Sequence, residues 1–423
     1  MMEKLVITGG TPLSGRVGIS GSKNSSLPIL AATLLTAEQC VIRRVPDVSD
    51  THHMLGILRA MGAAVDRASG TVTVKAESLS SSEAPYDLVR KMRASVCVLG
   101  PLIARLRKAT VSLPGGCVIG DRPIDLHLRG FERLGAAIRV EGGNVIVEAD
   151  ELVGREVNLR GKHGSTVLGT DNVMMAATLA EGITIIEGAA TEPEVVDLAE
   201  FLIKMGAKIE GAGTHRIVIE GVKELGGADH TVIPDRIEAG TFLVVGALAG
   251  TEEGLILKRT RPDHLTVVID VLRRCGHQIE TSGEEMVVRP GKTIRGSNIE
   301  TEAYPGFPTD MQAQMAALFC LTPGISVITE TIFPQRFMYA AELNRMGADI
   351  RLEGATAVIQ GVERLSGAPV MASDLRASAA LVLAALRASG KTEINRVYHI
   401  DRGYEMLDDK LMELGAKIER MQA

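Results

Sequence analysis

The sequence has no tryptophan, and aromatic residues make up only 3% of its 423 residues. Proteins that bind single-stranded nucleic acid stack the bases on aromatic side chains, and general nucleic-acid binders carry a positive charge. Here acidic residues outnumber basic ones, 52 to 46, so the formal net charge is -6. The composition therefore argues against a nucleic-acid partner, and basic residues that matter should act locally.

Cysteine is also scarce. The five cysteines are odd in number, far apart and never arranged as CxxC, namely Cys40, Cys97, Cys117, Cys275 and Cys320. This spacing predicts neither a disulfide framework nor a zinc site, and no other metal or dinucleotide motif is present, so we expect no metal and no cofactor. No apolar run approaches the roughly 18 residues of a membrane span, and the N-terminus does not resemble a signal peptide. We expect a cytoplasmic protein without membrane association or an obligate protein partner.

What the sequence has in abundance is an internal repeat. A phrase such as LRAMGAAV occurs six times at intervals of roughly 70 residues, with its glycine at Gly62, Gly135, Gly206, Gly276, Gly347 and Gly415. In each repeat an amphipathic helix should end at the glycine, before a strand-turn-strand segment. A second helix, apolar on nearly every face, precedes a short β-rich segment. The pattern predicts six α/β units of the form helix-strand-helix-strand-strand, with buried helices and outer sheets, arranged as two similar domains of three units each.

The repeat arithmetic also predicts the domain boundaries. Residues 22–231 should form one three-repeat domain, which carries the Cys117 loop. Residues 1–21 and 232–423 should form the other, with the active site in the cleft between the two. The sixth repeat stops after AKIERMQA, without a second strand. We therefore expect the N-terminal residues to supply that strand.

Charged residues stand in the first turns of the buried helices. Helix N-termini carry unpaired amides and a partial positive charge, so several of them gathered together would form an anion site. Helix capping is an alternative explanation for three of the polar residues, Asp310, Asp374 and Asn172. It does not explain Lys23, Arg93 or Arg376, because a cation at a helix N-terminus opposes the helix dipole. This conflict between local preference and placement indicates a binding site for an anionic ligand.

Seven motifs together resemble the enolpyruvyl transferases, and the likeness runs from Met2 to the C-terminus. The motifs are GSKN (21–24), KMRAS (91–95), PGGCVIGDRPIDLH (114–127), PDRIEAGTF (234–242), FPTDMQAQ (307–314), SDLRAS (373–378) and HIDRGYE (399–405). The resemblance implies two domains of inverted barrels. It also implies transfer of the enolpyruvyl group of phosphoenolpyruvate to the 3'-hydroxyl of UDP-N-acetylglucosamine, with release of phosphate through a tetrahedral intermediate. This reaction is the first committed step of peptidoglycan synthesis.

The resemblance also implies roles for individual residues. The catalytic set would be Cys117, Asp310, Lys23, Arg122, Asp374, Arg376 and Arg402. Within it, Lys23, Arg122 and Arg402 would hold the phosphate and carboxylate, with support from Arg376. Asp310 would be the base or orienting partner of the sugar hydroxyl. Cys117 would be the acid in phosphoenolpyruvate addition and the cysteine that fosfomycin alkylates. The substrate contacts would be Lys23, Asn24, Arg93, Pro123, Ile124, Asp125, Leu126, Thr166, Val167, Asp310, Ile332 and Phe333.

One segment departs from the family pattern. Gly164 stands where the family usually has a lysine, and Leu168 stands where it has a glycine; Lys162 is an alternative cation. Two other functions stay open. One is 5-enolpyruvylshikimate 3-phosphate synthase, which shares the repeat fold but does not use the cysteine loop. The other is a non-catalytic paralogue that binds UDP-sugars.

Overall fold

The computed structural model describes residues 3–113, 124–162 and 164–422. The described residues form two compact units. The terminal unit comprises residues 3–20 and 234–422, and the middle unit comprises residues 21–113, 124–162 and 164–233. Each unit has its own aliphatic core. Among the described residues, no helix has both the length and the apolar character needed to cross a membrane.

The strands, in chain order, are β1 (Glu3–Thr8), β2 (Leu13–Gly18), β3 (Gln39–Arg43), β4 (Ala64–Ala68), β5 (Thr71–Lys75), β6 (Lys108–Ser112), β7 (Ala137–Glu141), β8 (Asn144–Glu148), β9 (Glu156–Asn158), β10 (Ile183–Glu187), β11 (Lys208–Glu210), β12 (Arg216–Glu220), β13 (Asp229–Thr231), β14 (Gly250–Lys258), β15 (Gln278–Ser282), β16 (Glu285–Arg289), β17 (Asn298–Glu300), β18 (Ile325–Thr329), β19 (Asp349–Glu353), β20 (Thr356–Gln360), β21 (Pro369–Met371), β22 (Lys391–Asn395) and β23 (Lys417–Gln422).

The α-helices are α1 (Lys23–Ala32), α2 (Ser49–Ala60), α3 (Tyr86–Val89), α4 (Leu99–Leu106), α5 (Asp125–Arg133), α6 (Val167–Ala177), α7 (Pro193–Lys204), α8 (Arg236–Ala249), α9 (Thr266–Arg274), α10 (Gln312–Phe319), α11 (Tyr339–Arg345), α12 (Leu375–Arg387) and α13 (Leu407–Glu413). Short 3-10 segments span Thr33–Leu35, Arg93–Val98, Pro262–His264, Thr309–Met311 and Val397–His399.

The six repeat glycines end helices as predicted. Each lies two residues beyond the last residue of α2, α5, α7, α9, α11 or α13. Their φ angles fall between +95° and +104°, in the left-handed region that closes a helix C-terminus and that a side chain disfavours. The repeat phrase is therefore a helix stop, and its recurrence gives the fold its period.

The helices between these stops are buried, and the sheets bury one face each. After its first turn α1 is fully buried, as are twelve residues of α8. In β5, Val72 and Val74 are buried while Thr71 and Thr73 face outward. This period of two is typical of a sheet that covers a core on one side. The predicted arrangement of inner helices and outer sheets is confirmed.

Strand pairing completes the repeats. The middle unit has the sheet orders β13-β3-β5-β4, β6-β8-β7 and β11-β12-β10-β9, and the terminal unit has β15-β16-β14-β2, β17-β18-β20-β19 and β21-β22-β1-β23. β1 pairs antiparallel with both β22 and β23. The N-terminal segment therefore supplies the strand that the sixth repeat lacks, as predicted.

Two features differ from the predicted unit. Five sheets gain a parallel edge strand from the segment before a buried helix, namely β2, β9, β13, β17 and β21. In the second repeat, the pattern predicts one buried helix over residues 88–105, and this prediction is wrong, because α3, a 3-10 segment and α4 follow one another there. Ser95 Oγ donates to the carbonyls of Val89 (3.1 Å) and Met92 (2.6 Å), which closes the end of α3.

Candidate active site

In the terminal unit, Asp310 lies between two buried arginines. Its Oδ2 accepts a hydrogen bond from Arg376 Nη2 at 3.0 Å, and its Oδ1 lies 2.7 Å from Arg336 Nη1. The Asp310 side chain is 26% exposed, whereas those of Arg376 and Arg336 are 3% and 9% exposed. The 3-10 turn that holds Asp310 has Pro308 as its N-cap, so capping does not explain this carboxylate. Two guanidinium groups thus converge on one carboxylate.

Arg376 occupies the second position of α12, where its charge opposes the helix dipole. Its helix is capped by Asp374, whose Oδ1 accepts from the backbone N–H groups of Arg376 (2.8 Å) and Ala377 (3.1 Å). Burial lowers the pKa of Arg376, but the combined influence of Asp310, Tyr404 and Asp235 more than offsets burial, and the pKa lies above its ordinary value. The guanidinium lies over the Tyr404 ring, 5.3 Å from its centroid.

Two donors of Arg376 are left over. Its Nε and Nη1 are buried and have no hydrogen-bond acceptor among the described residues. A buried donor without a partner costs roughly 1–3 kcal/mol, and more when it is charged. Natural proteins keep few such donors, and ordered water, an ion or a ligand can supply the missing acceptor. The two nitrogens of Arg376 could donate to an incoming anion.

Arg402 and Asp374 are close enough to act on the same histidine. Burial lowers the pKa of His399, the charge of Arg402 lowers it further, and the charge of Asp374 raises it. Ile332 and Phe333 donate their backbone N–H groups to Glu330 Oε1, each at 2.9 Å. Five of the described charged residues form what we call the terminal-unit cluster: Asp310, Arg336, Asp374, Arg376 and Arg402.

In the middle unit, Lys23 is the first residue of α1. Ser22 is the helix cap, and its Oγ accepts from Ser25 N at 3.2 Å. Lys23 Nζ lies 3.2 Å from Asp50 Oδ2, and the two side chains are 12% and 3% exposed. Asn24 follows in the same first turn and is half-buried. A cation at the start of a buried helix is thus balanced by a carboxylate from α2.

Asn172 links two helices and is not a helix cap. Its Nδ2 donates to the carbonyl of Val96 at 3.0 Å and lies 2.9 Å from His127 Nδ1, and its Oδ1 accepts from Gly100 N at 2.8 Å. Burial, aided by the charge of Arg93, lowers the pKa of His127 to about 3. His127 is therefore neutral and accepts at Nδ1, because the Asn172 amide presents donors to it. The N-cap of α6 is Thr166.

The segment that departs from the family pattern forms a tight turn. Gly161 and Gly164 exchange backbone hydrogen bonds of 2.8 and 3.3 Å, and Gly164 has a φ of +97°. A lysine at this position would be strained, because side chains disfavour positive φ. Thr166 Oγ1 accepts from Gly169 N at 3.2 Å and so caps α6, which Val167 begins.

The remaining predicted contacts lie at the start of α5. Ile124 is buried, Asp125 is exposed and Leu126 is half-buried. A side chain at Gly161 would come within 3.0 Å of Leu126 Cδ1, so Leu126 packs against the 161–164 turn. The structure therefore brings Leu126 and the departing segment together.

Three predicted residues, Cys117, Arg122 and Pro123, lie outside the described residues. The four described cysteines are buried: Cys40, Cys97, Cys275 and Cys320. Burial raises the pKa of all four thiols, to about 11 for Cys275 and about 12 for Cys320. Since the thiolate is the reactive form, these four are poor nucleophiles.

Comparisons with known proteins identify the family of this chain. The sequence model of the family described as EPSP synthase (3-phosphoshikimate 1-carboxyvinyltransferase) matches residues 7–411. The chain belongs to this family of enolpyruvyl transferases. It is 63% identical over 423 residues to the UDP-N-acetylglucosamine 1-carboxyvinyltransferase of Akkermansia muciniphila, covering 99% of each chain. It is 59% identical over 420 residues to the protein of the same name from Methylacidiphilum infernorum, again covering 99% of each chain.

Solved structures show the same fold. The crystal structure of the enolpyruvyl transferase NikO from Streptomyces tendae superimposes with a TM-score of 0.90 at 29% identity, covering 100% of this chain and 99% of that one. The EPSP synthase of Acinetobacter baumannii superimposes with a TM-score of 0.74 at 19% identity, covering 99% and 100%. The predicted two-domain α/β fold of an enolpyruvyl transferase is confirmed.

Three residues of this enolpyruvyl transferase were not predicted from its sequence: Arg336, Asp50 and Glu330. Their positions within the repeats gave a signal for Asp50 and Arg336. Arg336 and Arg402 lie between a central strand and the next outer helix, after β18 and β22 respectively, and Asp50 lies in the first turn of the outer helix that follows β3. In the sequence, residues 114–123 stand between β6 and α5. Comparing this position across repeats would have identified Asp50 and Arg336, because the repeat brings equivalent segments to equivalent places.

Proposed function

We propose that this enolpyruvyl transferase moves the enolpyruvyl group of phosphoenolpyruvate to the 3'-hydroxyl of UDP-N-acetylglucosamine and releases phosphate. It would act in the cytoplasm, without an obligate protein partner, at the first committed step of peptidoglycan synthesis. Carbon 3 of phosphoenolpyruvate must gain a proton while the sugar hydroxyl attacks carbon 2, and the tetrahedral intermediate then expels phosphate. The reaction needs an anion clamp, an acid and a partner for the hydroxyl proton.

The observation that carries the proposal is the buried guanidinium of Arg376. Two of its nitrogens have no acceptor in the part of the chain that the structure describes, and a third donates to Asp310. Phosphoenolpyruvate brings one phosphate and one carboxylate, whose oxygens suit a planar guanidinium fork. Arg402 belongs to the same cluster and would share this role.

Asp310 is the proposed partner of the sugar hydroxyl. Two guanidinium groups within 3.0 Å favour its carboxylate form, which can accept the hydroxyl proton or orient the hydroxyl toward carbon 2. The Asp310 side chain is 26% exposed, so it is more accessible than the side chain of either arginine. Asp374, whose Oδ1 accepts two backbone N–H groups, is proposed to support the cluster as a helix cap.

Three more residues would complete the chemistry: Lys23 of the middle unit, and Arg122 and Cys117, which lie outside the described residues. Lys23 and Arg122 are proposed to clamp the phosphate and carboxylate of phosphoenolpyruvate. Cys117 is proposed as the acid in the addition step and as the residue that fosfomycin alkylates.

The nucleotide sugar would contact residues of both units. The proposed contacts are Asn24, Arg93, Pro123, Ile124, Asp125, Leu126, Thr166, Val167, Ile332 and Phe333. Because Gly164 stands where the family usually has a lysine, another cation would have to contact the diphosphate. Lys162 is exposed on the same turn and is the proposed substitute.

The test is phosphate release from phosphoenolpyruvate. The chain is supplied with UDP-N-acetylglucosamine or, separately, with shikimate 3-phosphate, each with and without fosfomycin. Release with the nucleotide sugar alone, blocked by fosfomycin, supports both the acceptor and Cys117. Release with shikimate 3-phosphate alone would assign the chain to the other branch of the family. Tight binding of the nucleotide sugar without any release would favour a non-catalytic UDP-sugar-binding paralogue.

A further inference from the structure

Glu330 is a fully buried carboxylate directly after β18. Its Oε1 accepts from the backbone N–H groups of Ile332 and Phe333 at 2.9 Å each, and from Thr301 Oγ1 at 2.7 Å. These contacts fix the backbone of the segment proposed to touch the nucleotide sugar. Glu330 therefore determines where Ile332 and Phe333 lie.

The second oxygen of Glu330 leads to Asp310. Oε2 accepts from Thr309 Oγ1 at 2.8 Å and from Gln312 Nε2 at 3.2 Å. Thr309 Oγ1 in turn accepts from Arg336 Nη1 at 3.0 Å, and that same nitrogen lies 2.7 Å from Asp310 Oδ1. A continuous series of polar contacts thus runs from Glu330 through Thr309 and Arg336 to the carboxylate of Asp310.

We infer that Glu330 is a positioning residue that couples the acceptor-binding segment at Ile332 and Phe333 to the placement of Asp310. The inference rests on the proposed function, because it takes Asp310 as the partner of the sugar hydroxyl. A carboxylate has about four acceptor sites, and Glu330 receives five donors. Its Oε1 holds the segment of Ile332 and Phe333, and its Oε2 holds the turn of Thr309. Movement of the acceptor-binding segment would therefore be transmitted to Arg336 and Asp310.

Glutamine cannot replace Glu330 in both roles. An amide oriented with its oxygen toward Ile332 and Phe333 presents its NH2 to Gln312 Nε2, which is itself a donor. Thr309 Oγ1 would then face two donors and lose the acceptor for its own proton. Glu330→Gln therefore keeps the hydrogen bonds to Ile332 and Phe333 and disrupts the contacts that lead through Thr309 to Asp310.

The experiment measures kcat and the KM for UDP-N-acetylglucosamine in Glu330→Gln, Thr309→Val, Thr309→Ser and the double variant Glu330→Gln with Thr309→Val. Thr309→Val removes the connecting hydroxyl at almost constant shape, and Thr309→Ser restores it. We expect Glu330→Gln and Thr309→Val each to lower kcat roughly 10-fold or more, with KM within about 3-fold of the unsubstituted chain. Thr309→Ser should recover most of kcat. The double variant should be little worse than either single variant, because both cut the same connection.

Three results would overturn the inference. The first is an unchanged kcat in Thr309→Val. The second is equal losses in Thr309→Val and Thr309→Ser. The third is a double variant in which the loss of kcat combines the full losses of the two single variants and follows the fall in melting temperature. That result would indicate a merely structural role. Failure of the proposed function looks different, because the unsubstituted chain then releases no phosphate with UDP-N-acetylglucosamine. That outcome overturns both proposals.

Discussion

Replacing Asp310 with asparagine tests the centre of the proposed mechanism. Asp310→Asn keeps the size and shape of the side chain but removes its charge. An amide oxygen can accept from one arginine, whereas the amide nitrogen faces the other arginine as a second donor. The variant thus loses the group proposed to accept or orient the hydroxyl proton while leaving the surrounding backbone in place.

The structure sets the expected size of two effects. Loss of a positioned general base lowers turnover by about 10²–10⁴, which corresponds to roughly 3–5 kcal/mol in the barrier. Removing one partner from a fully buried ion pair costs about 3–5 kcal/mol of stability. Because Asp310 is 26% exposed, we expect a smaller loss of about 1–3 kcal/mol in the free energy of unfolding. The variant should therefore remain folded at room temperature.

The assay combines phosphate release, calorimetric binding of UDP-N-acetylglucosamine and urea unfolding. The matched control is Asp229→Asn, which removes a carboxylate that accepts from Arg43 Nε at 2.8 Å and Nη2 at 2.6 Å. Both side chains of that pair are about half exposed, so turnover should be unchanged and stability almost unchanged. Asp310→Asn should still bind the nucleotide sugar measurably. Turnover equal to that of the control would remove Asp310 from the mechanism.

Three further predictions concern the middle unit. Because the pKa of His127 is lowered to about 3, the unfolded chain takes up this proton near pH 6.5 and the folded chain does not. The free energy of unfolding should fall by about 1.4 kcal/mol per pH unit as pH drops below 6.5. His127→Asn keeps an acceptor for Asn172 and should remove this pH dependence of the free energy of unfolding, measured by urea titration at several pH values. An equal pH dependence in both proteins would contradict a neutral His127. Cys117→Ser should abolish the fosfomycin adduct seen by mass spectrometry, since the described thiols are buried, and a persisting mass shift would refute the role of Cys117. Lys162→Ala should raise the KM for UDP-N-acetylglucosamine at unchanged kcat, and an unaltered KM would exclude Lys162 as the diphosphate cation.

Most of the fold could be predicted because a glycine recurs at the same point of each of the six repeats. A positive φ at the helix stop excludes most side chains, so Gly62 and its five counterparts remain visible in the sequence. The edge strands were missed for the opposite reason. β9, β13, β17 and β21 have three residues each, with a single buried side chain in the middle. Such a segment is too short to display the alternation that predicts a strand.

The candidate site was predictable where residues break a local rule. Lys23 and Arg376 attract attention because cations oppose the dipole at a helix N-terminus. Arg336 was missed because a charged residue in a connecting segment is ordinary. Asp50 was missed because an acidic residue in the first turn of a helix follows the usual preference and breaks no rule. Glu330 was invisible for another reason. Its importance lies in what its two oxygens accept, and only the folded chain brings those donors together.

The two units solve the same electrostatic problem in the same way. Each places a cation in the first turn of a buried helix, Lys23 in α1 and Arg376 in α12, and each balances that cation with a carboxylate from a neighbouring element. In both, a helix cap supplies the acceptor that the first backbone amides need, so the cation does not have to compete for it. The carboxylate offsets the cost of burying the charge without using all of its donors, as the unpaired Nε and Nη1 of Arg376 show for the described residues. In the proposed mechanism, a cation held in this way would be fixed in position before substrate arrives. An incoming anion would then gain a charged partner with little reorganisation, which is the condition under which such groups stabilise a transition state most effectively.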